Sequence, residues 1–130
     1  MVSNQGVIIH KTKSIKGHRH DYSIHKKNHP VTPKQVVSVF DLGYVGVEKD
    51  YPEQLSSLPY KKKKDQELSQ EGKEYNHNHS RKRVVIEHTI CRIKKHRIMS
   101  DVFRNSLKKY DKVSDIVSGL VNYRIMNRNY

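Results

Sequence analysis

The 130-residue, 15.3 kDa chain has room for one small domain at most. It is 34% hydrophobic and 30% charged, with a mean hydropathy of -0.90: thin material for a self-sufficient core, but too apolar for disorder throughout. Its 26 Lys and Arg against 13 Asp and Glu give a net charge of +13, which suits a polyanionic partner, nucleic acid before an anionic membrane.

No apolar run approaches the ~20 residues of a membrane span, and Met1-Val2-Ser3-Asn4 does not read as a signal peptide. The single cysteine, Cys91, excludes an internal disulfide and fits a cytoplasmic setting. The charge is uneven: residues 1–60 hold 8 Lys and Arg with 5 acids, residues 61–130 hold 18 with 8. Basic runs recur in the second part, at Lys61–Lys64, Arg81-Lys82-Arg83, Lys94-Lys95-His96-Arg97 and Lys108-Lys109. A single run is commonly a solvated surface; the repetition makes this half the expected electrostatic footprint for nucleic acid. No Trp is present and the basic segments lack an apolar opposite face, so no membrane partner is expected.

In chain order, residues 6–10 predict a short strand. A polar loop follows, and Asp21 is a suitable N-cap for a short helix that ends before Pro30. Residues 35–40 (QVVSVF) predict the clearest strand, apolar on both faces and therefore buried on both sides. It ends at Asp41, and Gly43 and Gly46 permit a tight turn. Residues 48–68 read as loop with a short strand near 58–62. From Ser69 the pattern is helical, with early acids behind a capping serine and a weak point at His77-Asn78-His79. Residues 80–98 predict a firm helix whose buried stripe is Ile86, Ile90 and Ile93. A last helix carries Val113, Ile116, Val117, Leu120 and Val121, with Asp111 near its start.

Two acids stand out. Glu87 is the single acid within residues 77–97, against seven Lys and Arg. On a helix, Arg83, Cys91 and Lys94 fall within about 40° of it. Its ordinary role would be an ion pair with Arg83, worth about 0.3–0.5 kcal/mol. Asp41 stands at the carboxyl end of a predicted strand, where open α/β sheets place ligands; its ordinary role would be turn formation. Together, two carboxylates among cations suit a hard divalent ion, Mg²⁺ or Mn²⁺, in phosphoryl transfer, with the cations on DNA phosphates.

At these residues the sequence resembles bacterial insertion-sequence transposases of the DDE superfamily. Asp41-x-Gly43-Tyr44-x-Gly46 is similar to the segment holding that family's second catalytic Asp. Arg83-x3-Glu87-x6-Lys94 has the spacing of its catalytic-helix signature, where the Glu is the third acid. Gly17-x2-His20-Asp21 and Gly119-Leu120-Val121-Asn122 resemble its turn after the third strand and its closing helix. The resemblance implies an α/β class: an incomplete ribonuclease-H-like fold, with short strands followed by a largely helical C-terminal half. It implies Asp41 and Glu87 as catalytic metal ligands for Mg²⁺ or Mn²⁺. Arg83, Lys94, Lys95, Arg97, Arg81 and Lys82 are then expected to contact transposon-end DNA.

Two departures accompany it. Ser80 stands where the signature often has Tyr, and the family's first catalytic Asp, on its first strand, has no counterpart. Residues 1–130 are therefore expected to form part of the catalytic domain, inactive alone, with an upstream transposase fragment or further copies as possible partners. The alternative is a non-catalytic nucleic-acid-binding module or transposition regulator. The nine histidines read as surface residues of a basic chain. His25-x3-His29 has helical spacing, but Pro30 follows directly, and no Cys/His framework supports zinc. Cys91 reads as a semi-buried structural thiol.

Overall fold

The computed structural model describes residues 1–15, 19–64 and 66–128. It is mixed, with helices dominant: α1 (Asp21–Lys27), β1 (Ser38–Val39), a 3₁₀ turn (Leu42–Tyr44), α2 (Val47–Asp50), β2 (Ser56–Ser57), α3 (Gln70–Lys94), α4 (Arg97–Ser100) and α5 (Leu107–Met126). Two compact units form, Gly17–Arg83 and Met1–Lys16 with Val84–Tyr130.

In the first of these units, α1 forms where expected, but its cap is His20, whose Nδ1 accepts from the Tyr22 N–H at 3.3 Å. Asp21 lies instead in the first turn, where a negative charge faces the positive end of the helix dipole. The predicted strand at 35–40 shrinks to two residues, paired in parallel with β2 (Ser38 opposite Ser56, Val39 opposite Ser57). It is not buried on both sides: Val36 is 46% and Val37 54% exposed. β-branched residues favour extended backbone, yet this sheet is too narrow to cover both faces. The strand expected at 58–62 lies earlier, at Ser56–Ser57, and the loop before it contains α2. Gly46 begins α2 at φ 104°, so one of the two turn glycines does need its missing side chain. Val47, fully buried, is the apolar centre here.

α3 starts at the serine the pattern picked out: Ser69 Oγ accepts from the Gly72 N–H at 3.1 Å. It then runs unbroken through His77-Asn78-His79. His79 is 3% exposed and its Nε2 meets the Ser57 carbonyl at 3.1 Å. Asn76 pairs with both backbone groups of Tyr60, accepting from its N–H at 2.8 Å and donating to its carbonyl at 3.0 Å. These polar contacts outweigh the weak local helix propensity. The helix stops at Lys94, and Arg97–Ser100 form the separate α4, so the single helix expected over 80–98 is divided.

In the other unit, residues 6–10 form no strand. Val2 and Ile8 make one antiparallel bridge, and Gly6 turns the chain at φ 87°. The backbone of Ile8 is completed by a side chain: Asn122 of α5 accepts from its N–H at 2.7 Å and donates to its carbonyl at 2.9 Å. Thr89, not an isoleucine, is the fully buried residue on this part of α3. Its hydroxyl is shared between the carbonyls of Gly6 and Val85, both at 3.0 Å. Ile86 and Ile93 are half-buried, but Ile90 is exposed. On α5, Val117 and Val121 are buried while Ile116 and Leu120 are exposed, so the closing helix is narrower in its buried stripe than its sequence suggests.

Candidate functional site

Asp41 follows β1 and caps the 3₁₀ turn; its Oδ1 accepts from the Gly43 N–H at 2.9 Å. Its Oδ2 lies 3.5 Å from Nη2 of Arg83. Among the described residues, then, the carboxylate within ion-pair reach of Arg83 is Asp41, and the expected intrahelical pair with Glu87 does not form. The Asp41 and Arg83 side chains are 41% and 35% exposed, so this long contact is screened and contributes little stability.

A cavity of about 420 Å³ opens beside the pair, lined by Asp41, Leu42, Gly43, Pro59, Tyr60, Asn76, Ser80 and Arg83. Asn76, Ser80 and Arg83 reach it because residues three and four apart share a helix face. Tyr60 lines it too, its backbone held by the two bonds it makes with Asn76. Sequence reading missed Tyr60 and Asn76; following the Arg83 face backward along the helix would have found Asn76, whereas nothing local marks Tyr60.

The remaining expected site residues belong to α3 and its surroundings. Arg81 and Lys82 are exposed in the unit that holds Asp41. Glu87, Lys94, Lys95 and Arg97 are exposed in the other unit, where Arg97 pairs with Asp101 at 3.5 Å. Cys91 is exposed, correcting its reading as a semi-buried thiol. The Gly17-x2-His20-Asp21 motif lies partly outside the described residues, at Gly17 and His18. His25 and His29 do meet, in spite of Pro30, at 3.2 Å between His25 Nε2 and His29 Nδ1.

As a metal ligand, Asp41 has the right chemistry: hard oxygens, accessible to solvent, with an unused lone pair beside the Gly43 bond. Among the described residues no three His, Cys, Asp or Glu side chains gather into a ready-made cage. Arg83 would have to share Asp41 with an ion. No helix of the described residues is long and apolar enough to cross a membrane.

Residues 1–122 match the family model of the DDE superfamily endonucleases. The chain belongs to this DDE superfamily. It is also 33% identical over 130 residues to the probable transposase for insertion sequence element IS702 of Microchaete diplosiphon, covering 95% of this chain and 46% of the relative. The chain thus spans about half the length of the curated relative it matches. No solved structure matches it. DDE superfamily endonucleases generally use divalent metal ions, and the family match agrees with the transposase resemblance carried by Asp41 and the Arg83–Glu87–Lys94 spacing.

Proposed function

We propose that this chain serves in metal-dependent cutting and joining of transposon DNA, as the part of a DDE transposase catalytic domain, ribonuclease-H-like in fold, that carries two of its acids. The observation that carries this reading is Asp41: an accessible strand-end carboxylate beside Arg83, lining a cavity, in a chain of the DDE superfamily. Asp41 and Glu87 are the proposed ligands of Mg²⁺, with Mn²⁺ as substitute. Such an ion, when bound, would polarise a phosphoryl oxygen and lower the pKa of the attacking water or 3′-hydroxyl.

The chain's own residues do the rest. Asp41 takes the Gly43 N–H on Oδ1 and leaves Oδ2 facing Arg83. Arg83 neutralises that oxygen without the ion and is free to hold a DNA phosphate once an ion replaces it. Arg81, Lys82, Lys94, Lys95 and Arg97, exposed on α3 and just after it, bind phosphates without reading sequence. The DNA, an upstream transposase fragment and oligomeric assembly are the proposed partners.

The test uses the purified chain with Mn²⁺, followed by electron paramagnetic resonance, and a labelled DNA duplex followed by anisotropy. Bound Mn²⁺ should fall in Asp41→Asn and in Glu87→Gln. DNA affinity should fall with salt, with a log–log slope of about −0.9 per phosphate contacted. Mn²⁺ binding indifferent to both substitutions, with salt-dependent DNA binding retained, would leave the non-catalytic binding module as the reading. The exposed Arg81, Lys82, Lys94, Lys95 and Arg97 are the observation that favours this second reading.

A further inference from the structure

We infer that His25 and His29 form a second, non-catalytic metal site, for Zn²⁺ or a similar borderline divalent ion, bracing the segment that carries Asp41. This inference is independent of the role proposed for Asp41 and Glu87. His25 is in the last turn of α1 and His29 lies two residues beyond that helix. The chain nevertheless returns the second ring to the first, with His25 Nε2 and His29 Nδ1 3.2 Å apart. Two nitrogens bound at 2.0–2.1 Å to one tetrahedral ion stand about 3.3 Å apart. The rings thus already hold the spacing a chelate needs, and an ion would replace the contact between them.

What fixes the rings is aromatic packing. The His29 ring lies flat on Tyr51, with centroids 3.6 Å apart and 6° between planes. His25 meets Phe40, Tyr44 and Tyr51 edge to face, at centroid distances of 5.4, 5.5 and 6.0 Å. Ligand rings held by their surroundings lose little freedom on binding an ion, which is how a supporting shell raises metal affinity. Both imidazoles are half-buried, so water can complete the coordination shell. Imidazole nitrogens favour Zn²⁺, Cu²⁺ and Ni²⁺ over Mg²⁺, which prefers oxygen. The same packing gives the site a target: Phe40 and Tyr44 flank Asp41 and its turn, and both lean on His25. An ion that locks His25 to His29 stiffens the base on which Asp41 stands.

The experiment titrates ZnCl₂ alone into the metal-free full chain, with calorimetry and imidazole ¹⁵N NMR, in the presence of excess Mg²⁺ to occupy carboxylate sites. The first equivalent should move the signals of His25 and His29 together. His25→Gln and His29→Gln should each weaken that equivalent by at least about tenfold, the lower end of what even outer-shell changes cost a metal site, while His77→Gln should leave it unchanged. First-equivalent shifts at other histidines, or wild-type affinity in both variants, would overturn the site. The NMR readout is made on the unmodified chain, so it decides even if a variant folds poorly. Failure here would leave the Mn²⁺ result at Asp41 and Glu87 untouched, and failure there would leave this site standing.

Discussion

Two asparagines perform the same operation in the two units. Asn122 on α5 accepts from the N–H and donates to the carbonyl of Ile8; Asn76 on α3 does the same for Tyr60. Each substitutes a carboxamide for one rung of a β-ladder, which lets a helix hold an extended segment through that segment's own backbone groups. The surroundings differ. The Ile8 bonds are partly buried, next to the buried Val117 and Val121, whereas the Tyr60 bonds are exposed. In water-exposed surroundings the backbone groups freed by removing the clamp find solvent at once. In partly buried surroundings they reach solvent less readily, so equal geometry carries unequal energy.

The largest expected effect therefore belongs to Asn122→Ala. It removes two bonds and strands the N–H and carbonyl of Ile8, a loss of about 2–3 kcal/mol by denaturant unfolding. Asn76→Ala should cost about 1 kcal/mol, because solvent compensates. Equal losses at the two positions would show that burial is not what separates them. Thr89→Val sharpens the point within the unit that holds Asn122. The change keeps the shape of a fully buried side chain but removes its shared hydroxyl bond to Gly6 and Val85. A loss of about 1–2 kcal/mol is expected, since the Gly6 carbonyl is left unpaired. A neutral result would mean the site behaves as plain apolar core.

These polar anchors also explain what was legible in the sequence. Two helices match their sequence pattern in part: Ser69 does cap α3, and Val113–Val121 does lie in α5, although α5 begins at Leu107, ahead of Asp111. The isoleucine stripe misled because Thr89, a polar residue, occupies the buried position. A threonine can do so when its hydroxyl bonds the carbonyl four residues back, and hydropathy patterning does not register that option. The expected break at His77–His79 failed because Asn76 and His79 gain partners in residues 57–60, which are remote in sequence. The strands were over-read, since β-branched runs signal extended backbone and not the neighbours needed to cover it. At the site, Asp41 was legible as a strand-end acid and Arg83 as a helix cation. Their meeting was not, because 42 residues separate them.

The smallest expected effect tests the exposed side of the comparison. Asp50 accepts from Lys26 Nζ at 2.6 Å and from the Tyr22 hydroxyl. These two donors hold its carboxyl below the usual carboxylate value of 3.8. The folded state thus releases this proton more readily than the unfolded chain does. The resulting stabilisation is complete above pH 3.8 and fades as the pH falls through the lower folded value. Tyr22 works in the opposite direction: burial and the bond to Asp50 push its phenol up from 10.0 to about 12. Its contribution is complete below pH 10 and is lost as the pH climbs toward 12. Asp50→Asn should therefore flatten the acid limb of a stability–pH curve and bring the Tyr22 phenol back toward ordinary titration, read by ultraviolet absorbance. The shift should be small, because Lys26 and Asp50 are exposed and their pairing is screened by salt. An acid-limb loss as large as that of Asn122→Ala would reverse the ranking, and with it the claim that burial decides what a polar anchor contributes in this chain.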